Sequence, residues 1–292
     1  MSSGNLFLGY TADDLAGCPY RAFYHPDLAP LPDHVSEALL IGAQAHELFY
    51  PVERAAALLD PGYWPVETGF SLSPDGAMQV FVHTRMPGVT PGMWHWWFAW
   101  HGDEARRYKL WHPRAHVQAA WSDGRGGLSQ YVGRTSRVVE YIGSERLALG
   151  IRFVAPHSLG LDEQRLAAAG EVAICARGSL SATPVESGWL IHHIRPVPGG
   201  AEMRSRFWLG GHNARLRGVP PALGRLLGRT ASWFKPLDSG QAKQLLVHCA
   251  QEMNHLAAIL PALYARFGPT GDPSPRVESL PKTTLGTDRS IP

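Results

Sequence analysis

In the segment His248-Cys249-Ala250-Gln251-Glu252, an imidazole and a carboxylate stand four residues apart. On an α-helix that spacing puts both side chains on one face. Helical geometry then sets Glu252 beside Leu256, Ile259 and Leu263, with Lys243, Gln251 and Asn254 on the other side. A carboxylate in an apolar stripe is costly unless it is paired. A metal ion is one solution, because neutral imidazole and carboxylate are both good zinc ligands. A hydrogen-bonded His–Glu pair at the core edge is the other. His255 extends the same face, as a supporting group or a boundary residue.

Three further groups of residues have the right chemistry. His112 and His116 bracket Pro113 at the entry to a strand, and either can complete a metal site. Tyr108, in the same stretch, can donate to a substrate oxygen. Glu140 sits inside the otherwise apolar Val138-Val139-Glu140-Tyr141-Ile142. If it faces the interior it needs a partner; otherwise it lies on the solvent side of a half-buried strand. His192 and His193 are neighbours between Ile191 and Ile194, so in a strand they face opposite sides. His192 shares a face with Leu190 and Ile194, which makes it either an inward site residue or a satisfied core histidine. A set of two His and two Glu suits zinc without excluding manganese or iron.

These residues must be carried by particular elements. Helical spacing over 35–50 predicts a helix. Alternation over 79–85 predicts a strand. Thr90-Pro91 supplies an N-cap and first-turn proline for a helix through Trp94, Trp96, Trp97 and Trp100. That helix is either an aromatic core element or the wall of a pocket for a flat ligand. Strands follow over 116–121, 137–142, 147–154, 171–176, 189–197 and 201–209. Pro198-Gly199-Gly200 joins the last two as a hairpin. Short helix and loop is expected over 218–235. A long helix over 239–267 is stopped by Gly268, with Pro261 able to kink it. No βαβ alternation appears, which argues against a doubly wound parallel sheet. The order predicts an α+β helix-grip fold, in which a curved antiparallel sheet wraps one long C-terminal helix and encloses a cavity. The expected organisation is a smaller, mostly helical N-terminal region over 1–78, a helix-grip catalytic domain over 79–268 and a loosely held tail over 269–292.

Composition removes several function classes. Of 292 residues, 45% are hydrophobic and 18% charged, enough for a packed core. A formal charge of +2 with no basic run argues against nucleic acid or an anionic membrane as partner. No apolar stretch reaches membrane-spanning length, and no secretory signal opens the chain. Cys18, Cys175 and Cys249 are widely spaced, so free thiols in the reducing cytoplasm are expected. The absence of paired Cys/His ligands for a Rieske cluster argues against an iron ring hydroxylase. A helix-grip protein that only binds a hydrophobic aromatic ligand remains open.

Five segments, MWHWWFAWHG, RYKLWHPRAH, SRVVEYIG, GWLIHHIRP and HCAQE, together resemble the 2,4-diacetylphloroglucinol hydrolase family, which includes phloretin hydrolase. The resemblance spans residues 80–265 and is far more specific than any one motif. It implies a helix-grip domain, an N-terminal part used in dimerisation, and one Zn2+ held by two His and two Glu. Carried over by motif, the ligands are His116, Glu140, His248 and Glu252, with His112 as the alternative to His116. Tyr108 resembles a substrate-contacting tyrosine and His192 a substrate-binding or acid–base histidine. Ala119 and Phe207 stand where the family can place polar substrate contacts. The implied activity is hydrolytic deacylation of an acylphloroglucinol by cleavage of a carbon–carbon bond in a small aromatic polyketide or polyphenol, by a homodimer.

Overall fold

The computed structural model describes residues 8–127, 129–181, 183–220, 222–224, 226–228 and 237–269. In chain order the helices are α1 (Ala12–Leu15), α2 (Asp33–Ile41), α3 (Pro91–Trp100), α4 (Ala105–Trp111), α5 (Glu163–Ala169) and α6 (Ser239–Phe267). The strands are β1 (Ala43–Gln44), β2 (Gly69–Leu72), β3 (Ala77–Pro87), β4 (His116–Trp121), β5 (Thr135–Ile142), β6 (Glu145–Val154), β7 (Val172–Leu180), β8 (Val185–Val197), β9 (Gly200–Gly210) and β10 (Arg215–Leu216). They form one curved sheet in the order β1-β2-β3-β9-β8-β7-β6-β5-β4, with β10 paired to β8. Every pairing is antiparallel except β1 with β2.

Strands β4 to β9 follow one another as a meander, and β3 closes on β9. This is the helix-grip arrangement expected from the sequence, with α6 laid across the sheet. Asp238 caps α6 through a capping box with Gln241, which satisfies two otherwise orphaned N–H groups. The helix runs on through Pro261 to Phe267. Leu246, Met253, Leu256, Leu260 and Leu263 are buried along its length, so most of its stability comes from packing on the sheet. At the β8–β9 turn Gly199 has φ +80°, which the tight connection requires of a residue without Cβ.

The sheet is covered on both faces. The concave face holds α3 and α6 in the main core. The convex face is covered by a strap through Phe49, Val52, Ala55, Leu58, Trp64 and Val66, which packs with Leu161, Leu166, Cys175 and Trp208. In the aromatic helix α3, Trp94 and Trp97 are fully buried, while Trp96 and Trp100 pack at its edge against Tyr264 and Phe267. The tryptophans are therefore core. Cys175 and Cys249 are buried free thiols and Cys18 is half-buried.

One predicted element ends well short of expectation, and β2, α4, α5 and β10 form where no element was expected. The helix predicted over 35–50 ends at Ile41, because Gly42 turns the chain with φ +81°. The next two residues then pair with Phe70 and Ser71 as β1. Helical spacing beyond Gly42 was coincidental, and sheet pairing won. The β2–β3 hairpin crosses residue 78, so residues before it also carry the sheet's edge. The short helix and loop expected over 218–235 lie partly, and the tail after 269 wholly, outside the described residues. Among the described residues no helix is long and apolar enough to cross a membrane.

Candidate metal centre

Two strands and one helix bring three donors within reach of one ion, with a fourth group, a carboxylate, beside them. His116 opens β4 and lies directly across the sheet from Glu140 on β5, beside a bulge between His116 and Gln118. Cross-strand neighbours have Cβ atoms about 5 Å apart, close enough to share a ligand. The α6 face carrying His248 and Glu252 closes over this pair. Nε2 of His116 lies 3.5 Å from Oε2 of Glu140 and 3.4 Å from Oε2 of Glu252. Nε2 of His248 lies 3.9 Å and 3.8 Å from the same two oxygens. Donor atoms of His116, His248 and Glu252 all lie within 4.8 Å of one another.

The hydrogen bonds around these groups decide what the point can hold. Nδ1 of His116 is 3.0 Å from the main-chain oxygen of Tyr108. A carbonyl only accepts, so Nδ1 carries the hydrogen and Nε2 presents its lone pair. That Nε2 is buried and makes no hydrogen bond. It faces two carboxylate oxygens, which are also acceptors. A cluster of lone pairs in an apolar interior needs a cation between them. The main-chain carbonyl of Tyr141 lies beside the His248 ring as a further acceptor. Backbone acceptors behind both imidazoles are the usual support of metal-binding histidines. A tetrahedron with bonds of about 2.0–2.1 Å has edges of about 3.3 Å, near the spacings found. The donor set therefore fits a divalent ion, and the group formed by His116, His248 and Glu252 is able to hold one.

The electrostatics agree. Burial pushes Glu140 up to about 7. Burial, with Glu140 beside it, drives Glu252 well above the usual carboxyl range. Burial pushes His248 down to about 4 and His116 well below the usual imidazole value. Each group is disfavoured in its charged form by the same dry surroundings, and a divalent cation would reverse the preference of the carboxylates.

Tyr108 braces this centre. Its ring stacks on His116 at 3.7 Å with the planes 2° apart, and its hydroxyl donates to Oε2 of Glu140. The N-terminal segment holds its helix in place: Tyr10 donates to the Arg106 carbonyl, and Asp14 pairs with Lys109. Tyr108→Phe keeps the stacked ring and removes the hydroxyl. Loss of such a supporting hydrogen bond should weaken metal affinity about 10- to 100-fold, read by competition with a chromogenic chelator. Unchanged affinity would show that the hydroxyl does not brace Glu140.

The remaining sequence candidates fall into two places. His112 stands behind the centre, stacked on His248 at 5.0 Å, and it is His116 that faces both carboxylates. His192 and Phe207 lie farther along the concave face, their rings 5.9 Å apart. They are not in contact with the four donors. A chain of rings connects them: Phe98 stacks on His192, meets Trp111 edge-on, and Trp111 meets His116. Ala119 is buried on β4, three residues from His116. His193 points to the convex face and pairs with Glu171. Sequence reasoning passed over Phe98, hidden among the tryptophans, and Ser205, whose hydroxyl is 2.8 Å from Nδ1 of His192. No motif marks Ser205; only the β8–β9 register places it opposite His192.

Residues 49–265 match the family described as DAPG hydrolase PhiG domain. A 2,4-diacetylphloroglucinol hydrolase from Pseudomonas sp is 32% identical over 269 residues, covering 86% of this chain and 88% of its own length. A phloretin hydrolase from Eubacterium ramulus is 31% identical over 258 residues, covering 84% of this chain and 89% of its own. Among solved structures, ginseng major latex-like protein 151 from Panax ginseng aligns with a TM-score of 0.33 at 13% identity, covering 62% of this chain and 98% of that one.

Proposed function

The chain belongs to the DAPG hydrolase PhiG domain family, and from that premise we propose that it is a zinc-dependent hydrolase that removes an acyl group from an acylphloroglucinol by cutting a carbon–carbon bond. The observation that carries this reading is the buried group of His116, His248 and Glu252, with Glu140 beside it and the lone pair of His116 Nε2 left without a hydrogen. These four residues would hold the ion. When bound, zinc supplies Lewis acidity at the acyl carbonyl and makes water a better nucleophile.

An acylphloroglucinol in its keto form is a vinylogous β-diketone. A proton is added at the ring carbon bearing the acyl group, and water adds to the acyl carbonyl carbon. The bond between that carbonyl carbon and the ring then breaks, its electron pair leaving with the ring as a stabilised enolate. Proton return restores the phenol, so the products are a less acylated phloroglucinol and a carboxylic acid. The protein's part is to hold the ring oxygens and manage the protons. Burial and the nearby Glu140 keep the Tyr108 phenol protonated, so its hydrogen goes to Glu140 and its oxygen is left to accept from a ring hydroxyl. Burial pushes His192 down to about 3, so it acts as a neutral imidazole. Phe207 and Phe98 bound the space beside that imidazole with apolar surface suited to a flat ring. With Ala119 and Phe207 apolar, few polar side chains read the acyl group, and its identity is a matter for assay. We assign catalysis to 79–268 and dimer formation to 1–78, in a cytoplasmic homodimer.

Elemental mass spectrometry of the purified protein should find about one zinc per chain. The same protein should release acetate from 2,4-diacetylphloroglucinol or phloretic acid from phloretin, and chelation should abolish this. Folded protein with neither metal nor turnover would instead be a helix-grip binder of an aromatic ligand.

A further inference from the structure

Three contacts fix the His192 ring. It lies directly opposite Ser205 in the β8–β9 register. Phe98 stacks on it with ring centres 5.7 Å apart and planes at 28°. The edge of Phe207 meets it at 5.9 Å and 78°. With the ring clamped, Nδ1 meets the Ser205 hydroxyl at 2.8 Å and Nε2 is left without a hydrogen-bond partner among the described residues. Ser205 is fully buried. The thiol of Cys249 on α6 is buried nearby, close enough to feel the Ser205 hydroxyl.

The direction of the Ser205–His192 hydrogen bond follows from the partners on offer. A serine hydroxyl has one hydrogen, and the imidazole nitrogen is a far better acceptor than a thiol sulfur. The hydroxyl hydrogen therefore points to Nδ1. Burial keeps the ring neutral, so it has a single N–H, and that hydrogen must sit on Nε2.

We propose that Ser205 is a positioning residue: its hydroxyl donates to Nδ1 of His192 and so presents Nε2–H to an oxygen of the substrate. A neutral N–H recognises an acceptor, here a ketone or enolate oxygen of the acylated ring. Its hydrogen bond strengthens as negative charge moves onto the ring oxygens during bond cleavage, so the benefit appears in turnover rather than in binding. The identity of that oxygen rests on the hydrolase reading; the tautomer does not.

The test combines nitrogen NMR of the histidine side chains in the metal-loaded protein with kinetics of Ser205→Ala, Ser205→Thr, His192→Ala and the double Ala variant. In the wild type His192 should carry its hydrogen on Nε2, and Ser205→Thr should keep it there. Ser205→Ala should mix the tautomers and lower kcat about tenfold with KM within about twofold. In the His192→Ala background the same change should cost less than about twofold, because Ser205 then has nothing to position. An Nδ1–H tautomer in the wild type overturns the proposal, even if Ser205→Ala does not fold. So does an equal tenfold loss in both backgrounds. A wild type that keeps Nε2–H but cleaves no acylphloroglucinol counts against the substrate reading alone and leaves the Ser205 assignment supported.

Discussion

Glu252→Ala will lose metal and turnover together while remaining folded. Glu252 is the donor that closes the centre from the helix side, 3.4 Å from Nε2 of His116 and 3.8 Å from Nε2 of His248. Without it the ion loses its carboxylate from the helix side in a site shaped around it, zinc affinity should fall steeply, and kcat/KM on the favoured acylphloroglucinol should fall by about 10³-fold or more, about 4 kcal/mol. The stability signature runs the other way. In metal-free protein, Glu252 is a carboxyl forced into a dry site beside another, an arrangement that costs free energy. Removing it relieves that cost, offsetting much of the lost packing. Metal-free variant and metal-free wild type should therefore melt within a few degrees of each other. Added zinc should raise the wild-type Tm, by about 2.7 kcal/mol of stability when the ion is at 100 times its Kd, and leave the variant unmoved. A variant that binds zinc as tightly as wild type, or turns over without it, would sink the assignment of this centre.

The part of this site that was legible from sequence is the part written in local spacing. His248 and Glu252 are one helical turn apart, and any helix there places them together. The extent of α6 was readable because Gly268 marks its end and the apolar residues before it keep one face, while the Asp238 cap at its start was passed over. The strands from β4 to β9 were readable from alternation, and the β8–β9 hairpin from its glycines. The pairing of His116 with Glu140 was different. Twenty-four residues separate them, and only the β4–β5 register, adjusted by a bulge, sets them face to face. Motif resemblance supplied that pair; periodicity could not. Ser205 shows the same limit: an unremarkable serine acquires a role because register, not spacing, puts His192 across from it. The choice of Phe98 over four tryptophans as the ring against His192 depends on where α3 crosses the sheet, which is tertiary information.

The convex face was the least legible, and it gives the second large expectation. Glu67→Gln should destabilise the protein by about 3–5 kcal/mol. Glu67 sits in the strap and receives Arg204 through both carboxylate oxygens, at 2.7 and 3.0 Å, and Arg206 as well. Both guanidiniums are fully buried, on the face of β9 opposite to Ser205 and Phe207. Rings of Trp64 and Phe81 cover them, but one carboxylate supplies the compensating charge. Glutamine keeps the shape and removes that charge, leaving two buried like charges together. At about 2–4 °C per kcal/mol for a chain of this size, Tm should drop by roughly 10 °C. The pH dependence fixes the sign. Burial alone would raise the Glu67 pKa, but Arg206 and Arg204 overcome it and hold the carboxyl below its ordinary 4.5. A depressed carboxyl stabilises the fold above its unfolded value and loses that contribution as pH falls through the folded one. The gap in Tm between wild type and Glu67→Gln should thus be full at pH 7 and shrink as pH falls below about 4.5. A gap independent of pH would mean that shape, not charge, is what Glu67 contributes. The consequence reaches the pocket, because Arg204 and Arg206 flank Ser205 on the same strand. Anchoring alternate residues from behind keeps β9 from sliding, and a one-residue slip would turn Ser205 and Phe207 away from His192. Glu67→Gln should therefore lower turnover at temperatures well below its own melting point, with His192 losing its single tautomer in the same nitrogen spectra.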